Sequence, residues 1–193
     1  MVRTPSTMLA LGTLAPPFDL PDFDGQRHSL GDFAGSSALL VVFICNHCPF
    51  VQHMRGEFAR FAREFLARGL GVVAINPNDL DHYPQDGPDA MREEARTLGY
   101  GFPYLVDTNQ AIAKAYRAAC TPDLFLFDAQ RRLVYRGQFD DSRPGNDRPV
   151  TGADLRRAVE AVLSGTPVDA DQRPSLGCNI KWKPGAEPDY VAR

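Results

Sequence analysis

Two cysteines separated by two residues, Cys45-Asn46-His47-Cys48, are the side chains best equipped for chemistry in this chain. A C-x-x-C pair can pass between dithiol and disulfide, and it follows the uncharged run Ala38–Ile44, which is β-branched or otherwise apolar throughout and predicts a strand buried on both faces. Val51, Met54, Phe58, Phe61 and Phe65 then recur at helical spacing, so the pair sits where a strand ends and a helix begins. The first turn of a helix leaves N–H groups unpaired and carries partial positive charge, and both stabilise an anion. Cys45 is therefore read as a nucleophile of lowered pKa and Cys48 as the thiol that resolves its adducts. A fall in pKa from about 8.5 to about 7 raises the thiolate fraction at pH 7 from ~3% to ~50%. Lost intrinsic nucleophilicity leaves a rate gain of only about threefold. The larger consequence is thermodynamic: a stabilised thiolate makes the disulfide more oxidising.

His47, if protonated, would stabilise the Cys45 thiolate and raise the potential; otherwise it is a solvent-facing residue. Pro49 falls in the first helical turn, where its missing N–H breaks no bond. Cys120 is read either as a third redox thiol or as a buried small residue, with packing favoured. Cys178 is either a distant resolving thiol on a mobile tail or a packed residue. His28, His53 and His82 are expected on the surface or in loops. No metal site and no cofactor are expected, and the acidic loop Asp79–Asp89 has no EF-hand pattern.

The elements that must position these residues can be read in order. Phe18–Leu30 predicts two short strands around an Asp24-Gly25 two-residue turn. Strand Ala38–Ile44, the helix after it and strand Val72–Ile75 form a βαβ unit with parallel strands. Asn76–Pro88 is a long polar loop beyond the C-terminal end of a sheet strand, where ligand contacts concentrate in open α/β folds. Helices are expected at Asp89–Leu98 and Gln110–Ala119, a strand at Leu105-Val106, and an antiparallel hairpin at Leu124–Phe127 and Leu133–Phe139. Thr151-x-x-Asp154 resembles a capping box for a last helix ending at Gly165. Arg131-Arg132 and Arg156-Arg157 read as solvated.

The totals bound the rest. The chain has 193 residues, 44% hydrophobic and 23% charged, enough for one domain with a sizeable core. A net charge of −3 argues against general affinity for nucleic acid or anionic membrane. Met1–Pro17 has no apolar run suited to a secretory leader, and no later stretch approaches the ~20 residues of a membrane span. The expectation is a cytoplasmic protein. Four cysteines are too few for a disulfide scaffold. One domain is expected over residues 1–164, with a tail at 165–193 that lies on it because it holds Cys178, Ile180 and Trp182.

Three stretches carry a resemblance to a known family: Ala15-Pro-Pro-Phe-Asp-Leu-Pro-Asp-Phe-Asp-Gly25, Phe43-Ile-Cys-Asn-His-Cys-Pro49 and Cys120-Thr121-Pro122. Together with the element order they resemble the thioredoxin fold in its redoxin form, the peroxiredoxin and cytochrome-maturation-thioredoxin group, over roughly Leu14 to Ser164. The resemblance implies an α/β fold, a central mixed sheet flanked by helices, with an N-terminal hairpin extension. It implies that Thr121-Pro122 is a cis-proline loop that faces the dithiol and holds an extended substrate. It also implies that Asn46, His47 and Pro49 tune the redox potential. The usual Trp-Cys-Gly-Pro-Cys is absent, and no acidic residue lies in Ala38–Ile44, where reducing thioredoxins carry a buried carboxylate. The tail Pro174–Pro184 is similar to the ending of uncharacterised bacterial thioredoxin-family proteins.

Three functions compete on this reading. The first is a thiol–disulfide oxidoreductase that forms a mixed disulfide at Cys45 and resolves it with Cys48. Its partners would be a protein or small-molecule disulfide and a thiol electron donor. The second is a peroxiredoxin-like peroxidase with Cys48 in the peroxidatic position, disfavoured because Cys45 replaces the customary Thr. The third is a non-catalytic Cu(I)-binding redoxin using Cys45, Cys48 and a histidine.

Overall fold

The six residues Ala38–Phe43 are wholly buried, and every larger element is arranged about them. A computed structural model describes residues 3–191. In chain order the strands and helices are β1 (Thr4–Pro5), β2 (Asp19–Pro21), β3 (Arg27–Ser29), β4 (Ala38–Phe43), α1 (Pro49–Leu66), β5 (Leu70–Asn76), α2 (Pro88–Leu98), β6 (Tyr104–Val106), α3 (Ala111–Ala115), β7 (Cys120–Thr121), β8 (Asp123–Phe127), β9 (Leu133–Arg136), α4 (Ala153–Leu163) and β10 (Leu176–Asn179), with single 3-10 turns at Leu30–Phe33 and Pro84–Asp86. The main sheet has the order β6-β5-β4-β8-β9. Strands β4, β5 and β6 run parallel, while β8 and β9 run antiparallel to their neighbours. This is the α/β thioredoxin-like fold with a mixed central sheet.

The alternation of β4 divides the core. Leu40, Val42 and Ile44 face a cluster with Phe58, Phe61 and Phe65 of α1, Met91 of α2 and Leu155 and Val159 of α4. Leu39, Val41 and Phe43 face the other side, with Val73, Phe125, Phe127 and Tyr116. Each fully buried aromatic of this kind contributes roughly 1.5–3 kcal/mol by leaving water. That burial, rather than helix propensity, holds α1 and with it the dithiol in place. Among the described residues no helix is long and apolar enough to cross a membrane.

A second, smaller sheet has the order β1-β10-β7. Its pairs are Thr4 with Gly177, Cys178 with Thr121 and Asn179 with Cys120. The tail is thus a paired strand with Cys178 inside it, neither distant nor hanging free. Gln110 locks the segment after β10: its amide donates to the carbonyls of Pro77 and Lys181, and its oxygen accepts from the Lys183 N–H.

Several local expectations need correction. The first hairpin turns through three residues, Phe23-Asp24-Gly25, because Asp22 pairs with Gln26 and Gly25 takes φ +85. The helix expected over Gln110–Ala119 stops at Ala115, since Arg117 adopts φ +52 and the Ala118 N–H turns back to Ala113. Strand β9 ends at Arg136 because the Gln138 N–H pairs with Arg173 of the tail. No capping box forms at Thr151. Gly152 precedes α4 with φ +67, and the Asp140 carboxylate accepts the N–H groups of Thr151 and Gly152 at 2.7 Å each. Arg156 is not a solvated residue: it bridges Glu57 and Glu64 and covers the Phe61 and Phe65 rings. Arg131 likewise turns inward to the carbonyls of Phe33 and Ser36.

Candidate redox site

The junction of β4 and α1 is built by two backbone constraints. The Ile44 N–H donates to Ile75, which carries the edge of the parallel sheet up to Cys45. Cys48, in extended backbone, caps α1, and its carbonyl accepts the Gln52 N–H at 2.9 Å. Pro49 occupies the first helical position, so the first free amides of the helix belong to Phe50 and Val51. These amides favour the charged forms of nearby sulfurs, Val51 that of Cys48 and Phe50 that of Cys178, as the smallest of the influences on each thiol. Across from them lies Thr121, whose peptide bond to Pro122 is cis. Its hydroxyl is 3.4 Å from Cys45 Sγ, and its carbonyl accepts from Cys48 Sγ at 3.0 Å.

Both thiols are buried, Cys45 at 1% exposure and Cys48 at 0%. All four cysteines are free thiols here. Cys48 is held well below the ordinary thiol range by hydrogen bonds from Cys178 and Cys45, with help from the Val51 amide. The Thr121 carbonyl facing it works in the opposite sense, since it prefers a proton on that sulfur. Cys45 is pushed up, first by its hydrogen bond to Cys48, then by burial and by the charge of Asp86. In the closed, reduced site the low pKa therefore belongs to Cys48, whereas the strand–helix position alone had pointed to Cys45. The neighbouring thiols Cys178 and Cys45, whose hydrogen bonds favour charge on Cys48, are the main physical reason for the reversal. Cys120 is completely buried and raised, mainly by burial; its thiol donates to the Pro122 carbonyl at 3.4 Å.

The two residues between the cysteines point in different directions. Asn46 is turned inward: its amide donates to Ala90 at 2.9 Å and its oxygen accepts from Tyr104. His47 is partly exposed and clamped by Asp86, which accepts the His47 backbone N–H at 2.9 Å and meets ring Nδ1 at 2.5 Å. Asn78 donates to the same carboxylate at 2.8 Å, and Tyr83 stacks on the imidazole. Asp86 has a fully buried side chain. Sequence reasoning singled out its loop, Asn76–Pro88, as a place for ligand contacts by length and position beyond a strand, but did not single out Asp86 itself.

Asp123 was missed as well. It stands opposite Phe43 in the sheet, accepts the Ala119 N–H at 3.1 Å and is pushed up to about 7 by burial. Ala38–Ile44 holds no acid, yet the neighbouring strand brings a buried carboxylate beside the site. The other histidines lie apart: His28 pairs with Asp22, His82 with Asp79, and His53 contacts Ser142 at 2.7 Å.

Donor atoms of Cys45, His47 and Asp86 lie within 4.8 Å of one another, so these three could hold a metal ion. An ion there would have to displace the hydrogen bond between His47 and Asp86. A cavity of about 600 Å³ between α4 and the 167–173 segment shares no lining residue with the dithiol.

A solved structure of hypothetical protein SMc02350 from Sinorhizobium meliloti 1021 is 55% identical to this chain, with a TM-score of 0.93 over 94% of this chain and 100% of that one. The thiol–disulfide oxidoreductase ResA of Geobacillus thermodenitrificans is 26% identical over 136 residues, which cover 67% of this chain and 70% of ResA. Rv2521 of Mycobacterium tuberculosis, whose peroxiredoxin name is provisional, is 30% identical over 115 residues, 60% of this chain and 68% of its own. These relationships overturn the cytoplasmic expectation. ResA and the DsbE-type relatives are extracytoplasmic thiol–disulfide oxidoreductases. The expectation rested on the lack of an apolar leader, whereas dithiols of this kind also work in oxidising compartments. Residues 11–136 match the AhpC/TSA family profile, and the chain belongs to that family of thioredoxin-like redoxin oxidoreductases.

Proposed function

We propose that the protein is a thiol–disulfide oxidoreductase that works through the Cys45–Cys48 dithiol and a mixed-disulfide intermediate. The observation that carries this reading is the contact of both sulfurs with Thr121 at the N-terminus of α1. Cys45 attacks one sulfur of a substrate disulfide. Its proton leaves as the new S–S bond forms, and the substrate's other sulfur departs as a thiolate. Cys48, the better stabilised thiolate of the pair, then attacks Cys45 Sγ. The mixed disulfide breaks, Cys45–Cys48 forms, and the substrate leaves reduced. Two electrons have passed to the substrate, and a thiol donor restores the dithiol. A stabilised Cys48 thiolate favours the reduced enzyme and so places the couple toward the oxidising end of its family. Thr121-Pro122 is assigned to hold an extended substrate beside Cys45, with Asn46, His47 and Pro49 setting the potential.

The test uses a protein disulfide such as insulin. Cys45→Ser is expected to abolish turnover, and Cys48→Ser to accumulate mixed disulfides that migrate as adducts on non-reducing gels. Full turnover by Cys45→Ser would sink the proposal.

A second reading, peroxidase activity at Cys48, is favoured by the lowered pKa of that residue. Cys48 would attack one peroxide oxygen, become a sulfenic acid and release the other oxygen as water after protonation; Cys45 would then condense with it and expel water. Peroxide consumption that survives in Cys45→Ser under a thiol reductant, without disulfide reductase activity, would favour this reading over the first.

A further inference from the structure

The tail carries a third thiol into the site. Strand β10 pairs antiparallel with β7 so that Cys178 stands opposite Thr121, the residue that touches both Cys45 and Cys48. The approach is close: a Cβ on Gly177 would collide with the Thr121 carbonyl, and it would stand 3.0 Å from the Pro122 nitrogen. Glycine is the residue that lets β10 lie this near the loop. Cys178 packs in the same cluster as Cys45 and Cys48, at 7% exposure. Its sulfur is within hydrogen-bonding reach of Cys48. Most telling, one residue links the three thiols: Thr121 meets Cys45 and Cys48 through its hydroxyl and carbonyl, and Cys178 pairs with it across the strand.

We infer that Cys178 is a second resolving thiol, which exchanges with the Cys45–Cys48 disulfide to form Cys48–Cys178. The inference rests on the dithiol reading above and extends it. In the exchange the Cys178 thiolate attacks Cys48 Sγ. The Cys48–Cys178 bond forms, the Cys45–Cys48 bond breaks, and Cys45 leaves as a thiolate that takes up the proton Cys178 released. No electrons enter or leave, so the protein stays oxidised while Cys45 becomes free again.

The surroundings of Cys178 favour this order of events. In the reduced site its proton is held by the hydrogen bond to Cys48, by burial and by the Cys48 charge. Two of those three causes vanish once Cys48 is tied to Cys45. The Phe50 amide and the Lys181 charge, which favour the thiolate, remain. Oxidation of the first pair thus activates the third thiol. Closing Cys48–Cys178 also fastens β10 covalently to the helix N-terminus while Cys45 regains its thiol.

The test is disulfide mapping of the full chain. Cys45→Ser is oxidised with oxidised glutathione, quenched in acid, alkylated after unfolding and mapped by mass spectrometry without reduction. The expected result is an intramolecular Cys48–Cys178 bond, lost in the Cys45→Ser/Cys178→Ser double variant, which carries glutathione on Cys48 instead. Glutathione on Cys48 with Cys178 fully alkylated in the single variant overturns the inference. Wild type mapped in parallel separates the two levels: a Cys45–Cys48 bond there, with none to Cys178 in the variant, removes the third thiol and leaves the oxidoreductase reading standing. Absence from wild type of any disulfide at Cys48, to Cys45 or to Cys178, removes that reading. Circular dichroism of each variant confirms that the mapped species is folded.

Discussion

Two walls flank the dithiol, and each contains a buried carboxylate that is handled differently. On the loop side, Asp86 spends its oxygens on the His47 amide, the His47 ring and the Asn78 side chain. On the tail side, Asp123 keeps one oxygen without a partner and is pushed up to about 7. The first wall fixes a charge by surrounding it with donors. The second leaves a carboxyl poised to hold a proton near neutrality, next to a loop and a strand that bring three sulfurs together. Hydrogen bonding sets a rigid partner on one side; burial with incomplete pairing leaves a titratable one on the other.

The largest expected effect concerns the proton on Asp123. Its carboxyl rises from 3.8 unfolded to about 7 folded, so the folded state binds more protons between those values. Stability from this group is complete below about pH 4 and is lost as the pH rises through about 7. The total is roughly 4 kcal/mol, an order-of-magnitude figure. Asp123→Asn should lack this pH dependence, so the stability difference between variant and wild type should change across that window in urea titrations at successive pH values. Parallel curves for the two proteins would remove the distinction between the walls.

Next in size is Gly177→Ala. The added methyl meets backbone rather than a flexible side chain, so β10 must separate from Thr121. A cost of about 3 kcal/mol is expected, together with faster alkylation of Cys178 in the native state. Unchanged stability and protection would mean that the tail wall is looser than its pairing implies.

Asp86→Asn tests the other wall. The isosteric amide keeps the shape but loses the charge, weakening the His47 clamp by about 1–3 kcal/mol. Because the Asp86 charge raises Cys45, its removal should lower the pH at which Cys45 reacts with iodoacetamide. An upward move would contradict the assignment. Arg156→Ala, outside both walls, should cost only about 1 kcal/mol for a partly exposed ion-pair network, with the thiol titration unmoved.

How much of this was legible in the sequence depends on periodicity. Ala38–Phe43 and the apolar stripe of α1 announce themselves because burial repeats along them. The parallel β4–β5 pairing follows from the connection between them. Strands β1, β7 and β10 have two to four residues each and no period to read. Their pairing is decided by long-range backbone partners, so the sequence suggested a tail lying on the domain with Cys178 packed or distant, but not its place opposite Thr121. Asp86 and Asp123 were silent for a similar reason, since a lone carboxylate shows no pattern until the fold closes around it. The cysteines were visible, but which sulfur is held low was not, because that depends first on Cys178, which the long-range pairing of β10 brings to Cys48.

The central claim is that Cys45 and Cys48 act as one redox couple. The most direct measurement is a titration of the wild-type chain against reduced and oxidised glutathione, quenched in acid, with all four cysteines alkylated and mapped. The account predicts that Cys48 leaves the thiol pool along one two-electron curve, disulfide-bonded to Cys45 or, after exchange, to Cys178, while Cys120 stays reduced throughout. Cys48 oxidised as a sulfenic acid or glutathione adduct, with Cys45 still a thiol at the same potential, would contradict it.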